Sequence, residues 1–100
     1  MLVKLTEVCG GNPTFIALRD QFTLKEVFVN PEHVVMVREE TRMRQLNEQG
    51  LLPEGLDTNH RFSKLTINRG HTGTEIVVVG APEIVETTLN LNKHKQLLKG

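Results

Sequence analysis

The run Phe28-Val29-Asn30-Pro31-Glu32-His33-Val34-Val35-Met36-Val37-Arg38-Glu39 constrains the fold more than any other stretch. Its flanks are crowded with β-branched residues, whose stiff side chains suit a pleated strand better than a helix. Asn30 and Pro31 punctuate it, because an Asn side chain bonds nearby backbone and proline fixes φ. The pattern predicts a strand over Thr23–Val29, a tight turn at Asn30-Pro31 and a second strand over Val34–Arg38.

Two later runs complete a sheet. Ser63–Asn68 sets Leu65 and Ile67 against Lys64, Thr66 and Asn68, the alternation of a half-buried strand. Thr74–Val79 closes on Ile76-Val77-Val78-Val79, apolar enough for a central strand buried on both faces. Between them Arg69–Gly73 reads as a hairpin loop. At the other end Leu2–Val8 places Val3, Leu5 and Glu7 opposite Lys4 and Thr6, as an edge strand would. Cys9-Gly10-Gly11-Asn12-Pro13 breaks that strand. Thr14–Leu18 is short and apolar, a strand or a buried extended segment.

From Glu39 to Arg61 the character changes. Glu39–Gln49 is rich in helix formers, with Glu39/Arg42 and Glu40/Arg44 at pairing distances along a helix and Gly50 placed to close it. Leu51–His60 then reads as loop. An insertion of this kind between strands is often functional or disordered. After Gly80-Ala81, Pro82 stands where a first helical residue belongs and Glu83 lies in the first turn. Ile84, Val85, Thr88 and Leu89 share one helical face, and Leu91, Leu97 and Leu98 extend an apolar side.

The expected architecture is therefore one α+β domain spanning residues 1–100. It is a small twisted antiparallel sheet, open or curled into a barrel, with a C-terminal helix and an inserted loop or short helix at 39–61.

Composition narrows the function. Twelve basic residues balance twelve acidic ones, which removes the simplest argument for nucleic acid while leaving local patches open. Phe, present four times, is the only aromatic, so the core must come from Val, Leu and Ile. A dimer interface would add burial that a small domain lacks. The single cysteine, Cys9, permits no intrachain disulfide and fits a reducing compartment. No apolar run reaches the length of a membrane span and the N-terminus lacks a signal-peptide core, so a cytoplasmic protein is expected.

Several segments, in order, resemble the small FlbD/SwrD-like flagellar proteins. They are Val3-Lys4-Leu5-Thr6, Val27-Phe28-Val29-Asn30-Pro31, the Val-rich strand ending at Glu39, Leu65-Thr66-Ile67, Val77-Val78-Val79 and the helix containing Glu83-Ile84-Val85. Residues around Asn12–Glu26, the Glu39–Arg61 insertion and Leu91–Gly100 fall outside the resemblance. It implies a small β-fold and a non-enzymatic accessory or regulatory role, and it carries over no catalytic residue. Similar small proteins of strands and inserts occur in phage genomes, so a bacterial or phage origin fits.

The residues that carry chemistry are sparse. Cys9 would need an oriented base to act as a nucleophile. His33, His60, His71 and His94 lack metal-ligand spacing. The glycines of Asn68–Thr74 lead into a strand, whereas a phosphate loop leads into a helix. Adjacent Glu39 and Glu40 diverge on either regular structure. No metal, cofactor or catalytic residue is expected.

What remains is binding. Arg42, Met43, Leu46, Leu51 and Leu52 place apolar side chains in a polar insertion. Either they await a partner or they fold back onto the sheet. The expected function is a non-enzymatic protein-binding or assembly module, acting through this insertion or an exposed strand edge and self-associating. The alternative is a small nucleic-acid-binding regulator using Arg38, Arg42, Arg44, Lys93 and Lys95, with Arg61 near the first group.

Overall fold

The computed structural model describes residues 2–10, 22–50, 59–70 and 72–99, without the side chains of Arg69 and of residues 92–99. Among these residues the order is β1 (Val3–Gly10), β2 (Phe22–Val29), a 3-10 helix (Pro31–His33), β3 (Val34–Glu39), α1 (Thr41–Glu48), β4 (Phe62–Arg69), β5 (Thr72–Val79) and α2 (Pro82–Lys99). The strands form one antiparallel sheet in the order β2-β1-β5-β4-β3. The α+β expectation is met. Thr14–Leu18 and Leu51–Thr58 lie outside the described residues.

The expected strand, turn and second strand form, and β2 and β3 do not pair with each other; they lie at opposite edges of the sheet. Asn30 does make the expected turn: its Oδ1 accepts from the Glu32 amide at 3.0 Å, and its carbonyl accepts from the His33 amide at 3.0 Å. Pro31 then opens the 3-10 helix and is buried. A link of Asn30–His33 alone reaches at most about 3.5 Å per residue. The sheet must therefore curl to bring its edges together at this end.

β1 is likewise an inner strand, flanked by β2 and β5, where an edge strand was expected. Alternation reports that one face is buried; it does not report how many neighbours a strand has. The β4–β5 ladder extends to Arg69 opposite Thr72, which leaves only Gly70 and His71 between the paired residues, a tighter turn than the expected Arg69–Gly73 loop. Gly70, at φ +71°, supplies the positive φ such a turn demands.

The two sheet faces carry separate apolar clusters. Val3, Leu65 and Val78 pack with Val85 and Leu89 of α2, and Leu5, Val34, Val37 and Ile76 lie against them. On the other face Val8 and Phe62 pack with Phe22, Leu24, Val77, Val79 and the α1 residues Met43 and Leu46. The alternation of β5 thus sends Ile76 and Val78 toward one helix and Val77 and Val79 toward the other, as expected of the central strand. Phe62, Leu65 and Val78 are fully buried, each stabilising the fold by about 1.5–3 kcal/mol.

α2 meets the sheet through the narrow stripe of Val85 and Leu89; Ile84, expected on that face, is 62% exposed. Its entry is fixed by Gly80, at φ +130°, whose amide donates to the Arg61 carbonyl at 2.7 Å and whose carbonyl accepts from Ser63 Oγ at 2.7 Å. A Cβ at Gly80 would stand 3.2 Å from Val85 Cγ2. Only glycine suits both the dihedral and the space.

α1 starts at Thr41 with Glu40 as its cap, Oε1 accepting from the Arg42 amide at 3.2 Å. Gly50 closes it at φ +74°. Glu39 ends β3 and Glu40 is a cap, so the expected helical pairs with Arg42 and Arg44 do not form. Glu39 pairs with Arg61, Glu40 with Lys64 and Arg44 with Glu48.

Candidate protein-docking surface

Arg61 is the most heavily bonded side chain described. Its Nε and Nη2 donate to the two oxygens of Glu39 at 2.7 and 2.9 Å, and its Nη1 donates to Glu83 Oε1 at 2.8 Å. A planar fork matched to one carboxylate and reaching a second ties the end of β3 to the first turn of α2. The hydrogen bonds that Arg61 donates hold the Glu39 carboxyl below its ordinary range, and the same bonds push the Arg61 guanidinium further up. Arg61 is committed to the fold.

The other basic residues proposed for nucleic acid lie on β3, α1 and α2. Arg38 is exposed on β3, with Nη2 donating to Met36 Sδ at 3.1 Å. Arg44 lies 3.4 Å from Glu48, and Lys64, opposite Arg38 in the ladder, lies 3.3 Å from Glu40. Arg42 is exposed on α1. Lys93 and Lys95 belong to α2, but their side chains lie outside the described set.

Of the insertion residues proposed to contact a partner, Met43 and Leu46 are half-buried against the Val8–Phe62 cluster. They take the second course open to them and fold onto the sheet. Leu51 and Leu52 lie outside the described residues.

Cys9 is half-buried at the end of β1. Desolvation raises its thiol pKa, the charge and hydrogen bonding of Glu7 raise it further, and Lys25 only partly offsets them. A thiol held protonated is a poor nucleophile. Among the described residues no group of His, Cys, Asp and Glu could hold a metal ion. No described helix is long and apolar enough to cross a membrane.

The exposed apolar residues lie elsewhere, on surfaces that motif reading passed over. Leu2, Val27, Phe28, Ile67 and Ile76 line a groove of about 470 Å³ together with Asn30 and His33. Leu2 is 57% exposed and Phe28 58%. Phe28 sits opposite Lys4, in phase with Phe22 and Leu24 but outside the Val8–Phe62 cluster that receives them, whereas Val27 and Val29 pair with Leu5 and Val3 of the other cluster. The signal was present: three consecutive apolar residues on a strand force one to the opposite face. The nearby Lys4–Glu26 pair, at 3.6 Å, is exposed.

A second groove, of about 300 Å³, runs between β3 and α2. Val34 and Val37 point inward, whereas Val35 and Met36 both face out. A bulge between Val34 and Met36 in the pairing with β4 breaks the alternation and accounts for this.

No family model, no curated protein and no solved structure matches the chain.

Proposed function

We propose that this chain is a non-enzymatic protein-binding or assembly module whose principal contact surface is the groove at Leu2 and Phe28. The observation that carries the reading is the exposure of these two large apolar side chains where they line a groove. Solvated surfaces seldom gather such groups without a contact to bury them, and aromatic anchors in pockets dominate protein interfaces. Two further observations favour binding over chemistry: Cys9 is held protonated, and Arg61 is spent on structure. The accessory role implied by the FlbD/SwrD resemblance is of the same kind. A free cysteine suits the reducing cytoplasm.

Self-association is the simplest form of the activity, and a formal net charge of zero does little to oppose it. Sedimentation velocity over a micromolar to millimolar range tests it. The wild-type chain should associate and Phe28→Ser should stay monomeric with its thermal stability intact. A wild-type chain monomeric throughout would remove self-assembly and assign the groove to a different protein.

A further inference from the structure

We propose that two copies of the chain joined at the Leu2–Phe28 groove also pair their α2 helices, antiparallel and side by side, about a two-fold axis at Leu91. The proposal rests on the protein-binding reading, names a second copy as the partner and adds a second contact to it.

α2 carries two apolar stripes. Val85 and Leu89 face the sheet, whereas Ile84 and Leu91 stand 62% and 56% exposed. Ile84 and Leu91 are seven residues apart, and Leu98 follows at the same spacing within the helix, the interval at which paired helices meet. Between the first two, the hydroxyls of Thr87 and Thr88 donate to the Glu83 and Ile84 carbonyls at 2.8 and 2.9 Å. Closing this face against a neighbour therefore strands neither threonine donor. α2 also adjoins the groove. Ile76 lines the groove and lies against the cluster of Val85 and Leu89, and His33 lines it from the 3-10 helix that α2 touches.

The sequence of α2 selects the occupant. Its first part, Pro82–Leu91, carries Glu83 and Glu86 and no basic residue; the remainder, Asn92–Lys99, carries Lys93, Lys95 and Lys99 and no acidic one. A parallel copy sets like charges and like helix ends together. An antiparallel copy sets the acidic part against the basic part and opposes the two helix dipoles. The pattern is also symmetric about Leu91: Ile84 falls opposite Leu98 of the second copy, and Glu83 opposite its Lys99. Each relation then occurs twice, as a two-fold contact requires. A helix of 18 residues is about 27 Å long. One face of it buries less than the roughly 800 Å² per partner of a stable interface, so the helix pair adds to the groove contact and does not replace it.

The test is disulfide cross-linking of the full-length Cys9→Ser chain with copper phenanthroline, followed by intact mass and set beside sedimentation velocity. Leu91→Cys should give a symmetric disulfide-linked dimer. Ile84→Cys alone and Leu98→Cys alone should link roughly tenfold more slowly, since like positions then lie about 21 Å apart. Mixed together, those two should link to each other as fast as Leu91→Cys links to itself. Lys95→Glu with Lys99→Glu should slow linkage at position 91 about fivefold, and Phe28→Ser should slow it further. Ile84 and Leu91 are exposed, so their variants should melt with the parent chain. Self-linkage of Ile84→Cys at the Leu91→Cys rate overturns the proposal in favour of a parallel pair. Linkage at position 91 that ignores the lysine reversals overturns the charge assignment, and linkage undiminished by Phe28→Ser overturns the shared contact. No linkage at position 91, in a chain that associates and loses association with Phe28→Ser, overturns the helix pair and leaves the groove reading standing. No linkage in a chain monomeric throughout overturns the helix pair and self-assembly together.

Discussion

Arg61 grips both carboxylate oxygens of Glu39, at 2.7 and 2.9 Å, across the junction where β3 ends and β4 begins. Because the same guanidinium reaches Glu83 at 2.8 Å, a single side chain joins the edge strand to the start of α2. Both walls of the β3–α2 groove are anchored by it.

This arrangement predicts a pH-dependent contribution to stability. Glu39 titrates below its ordinary value of 4.5 in the folded chain, so its ionised form is favoured by folding. The contribution is fully present above that ordinary value and is lost as the pH falls through the lower folded value. The Tm of Glu39→Gln should trail wild type at neutral pH and converge with it as the pH falls through the lowered folded value of Glu39. A Tm difference independent of pH would deny the ion pair this role.

The Ser63–Gly80 contact predicts two independent losses. Ser63→Ala leaves the Gly80 carbonyl without its side-chain donor and should cost about 1–3 kcal/mol in urea unfolding. Gly80→Ala forces a side chain into a φ of +130° and against Val85, for about 1–3 kcal/mol. Wild-type midpoints in both variants would contradict the account of how α2 enters.

Two phenylalanines should behave oppositely. Phe62 is fully buried and Phe28 58% exposed. Phe62→Ala should lose about 3–5 kcal/mol, a large share of a small domain's stability. Phe28→Ser should change stability by no more than about 0.5 kcal/mol. Comparable losses at both positions would mean that Phe28 belongs to the core.

Nucleic acid makes a clear contrast. Arg61, Arg44 and Lys64 each face a carboxylate, so fluorescence-anisotropy titration with mixed-sequence single- and double-stranded oligonucleotides should show no binding at low salt. Micromolar binding that weakens steeply as salt rises would instead support the regulator reading.

Much of the fold was legible because its causes are local. The alternation of Ser63–Asn68, the apolar run at Ile76–Val79, the turn chemistry of Asn30-Pro31, the closing Gly50 and the opening Pro82 all act within a few residues. What was not legible depends on partners distant in sequence. The placement of β2 and β3 at opposite edges cannot be read from the link between them, since a 3-10 turn and a hairpin turn use the same residues. The capture of Glu39 by Arg61, rather than by Arg42, follows from β3 and β4 lying side by side. Met43 and Leu46 looked unpartnered only because Val8 and Phe62, which receive them, are far along the chain. Phe28 was in plain view as the middle of Val27-Phe28-Val29, yet its exposure needs the register with Lys4.

The central claim, that the Leu2–Phe28 groove is a protein-contact surface, is tested most directly by site-specific photo-crosslinking. p-Benzoylphenylalanine would replace Phe28 in one sample and Gln45, an exposed residue on α1 outside the groove lining, in another. Irradiation in cells that express the chain naturally should give discrete adducts from position 28, either to a second copy or to a defined partner, and none of them from position 45. Equal, diffuse labelling from both positions would contradict the claim.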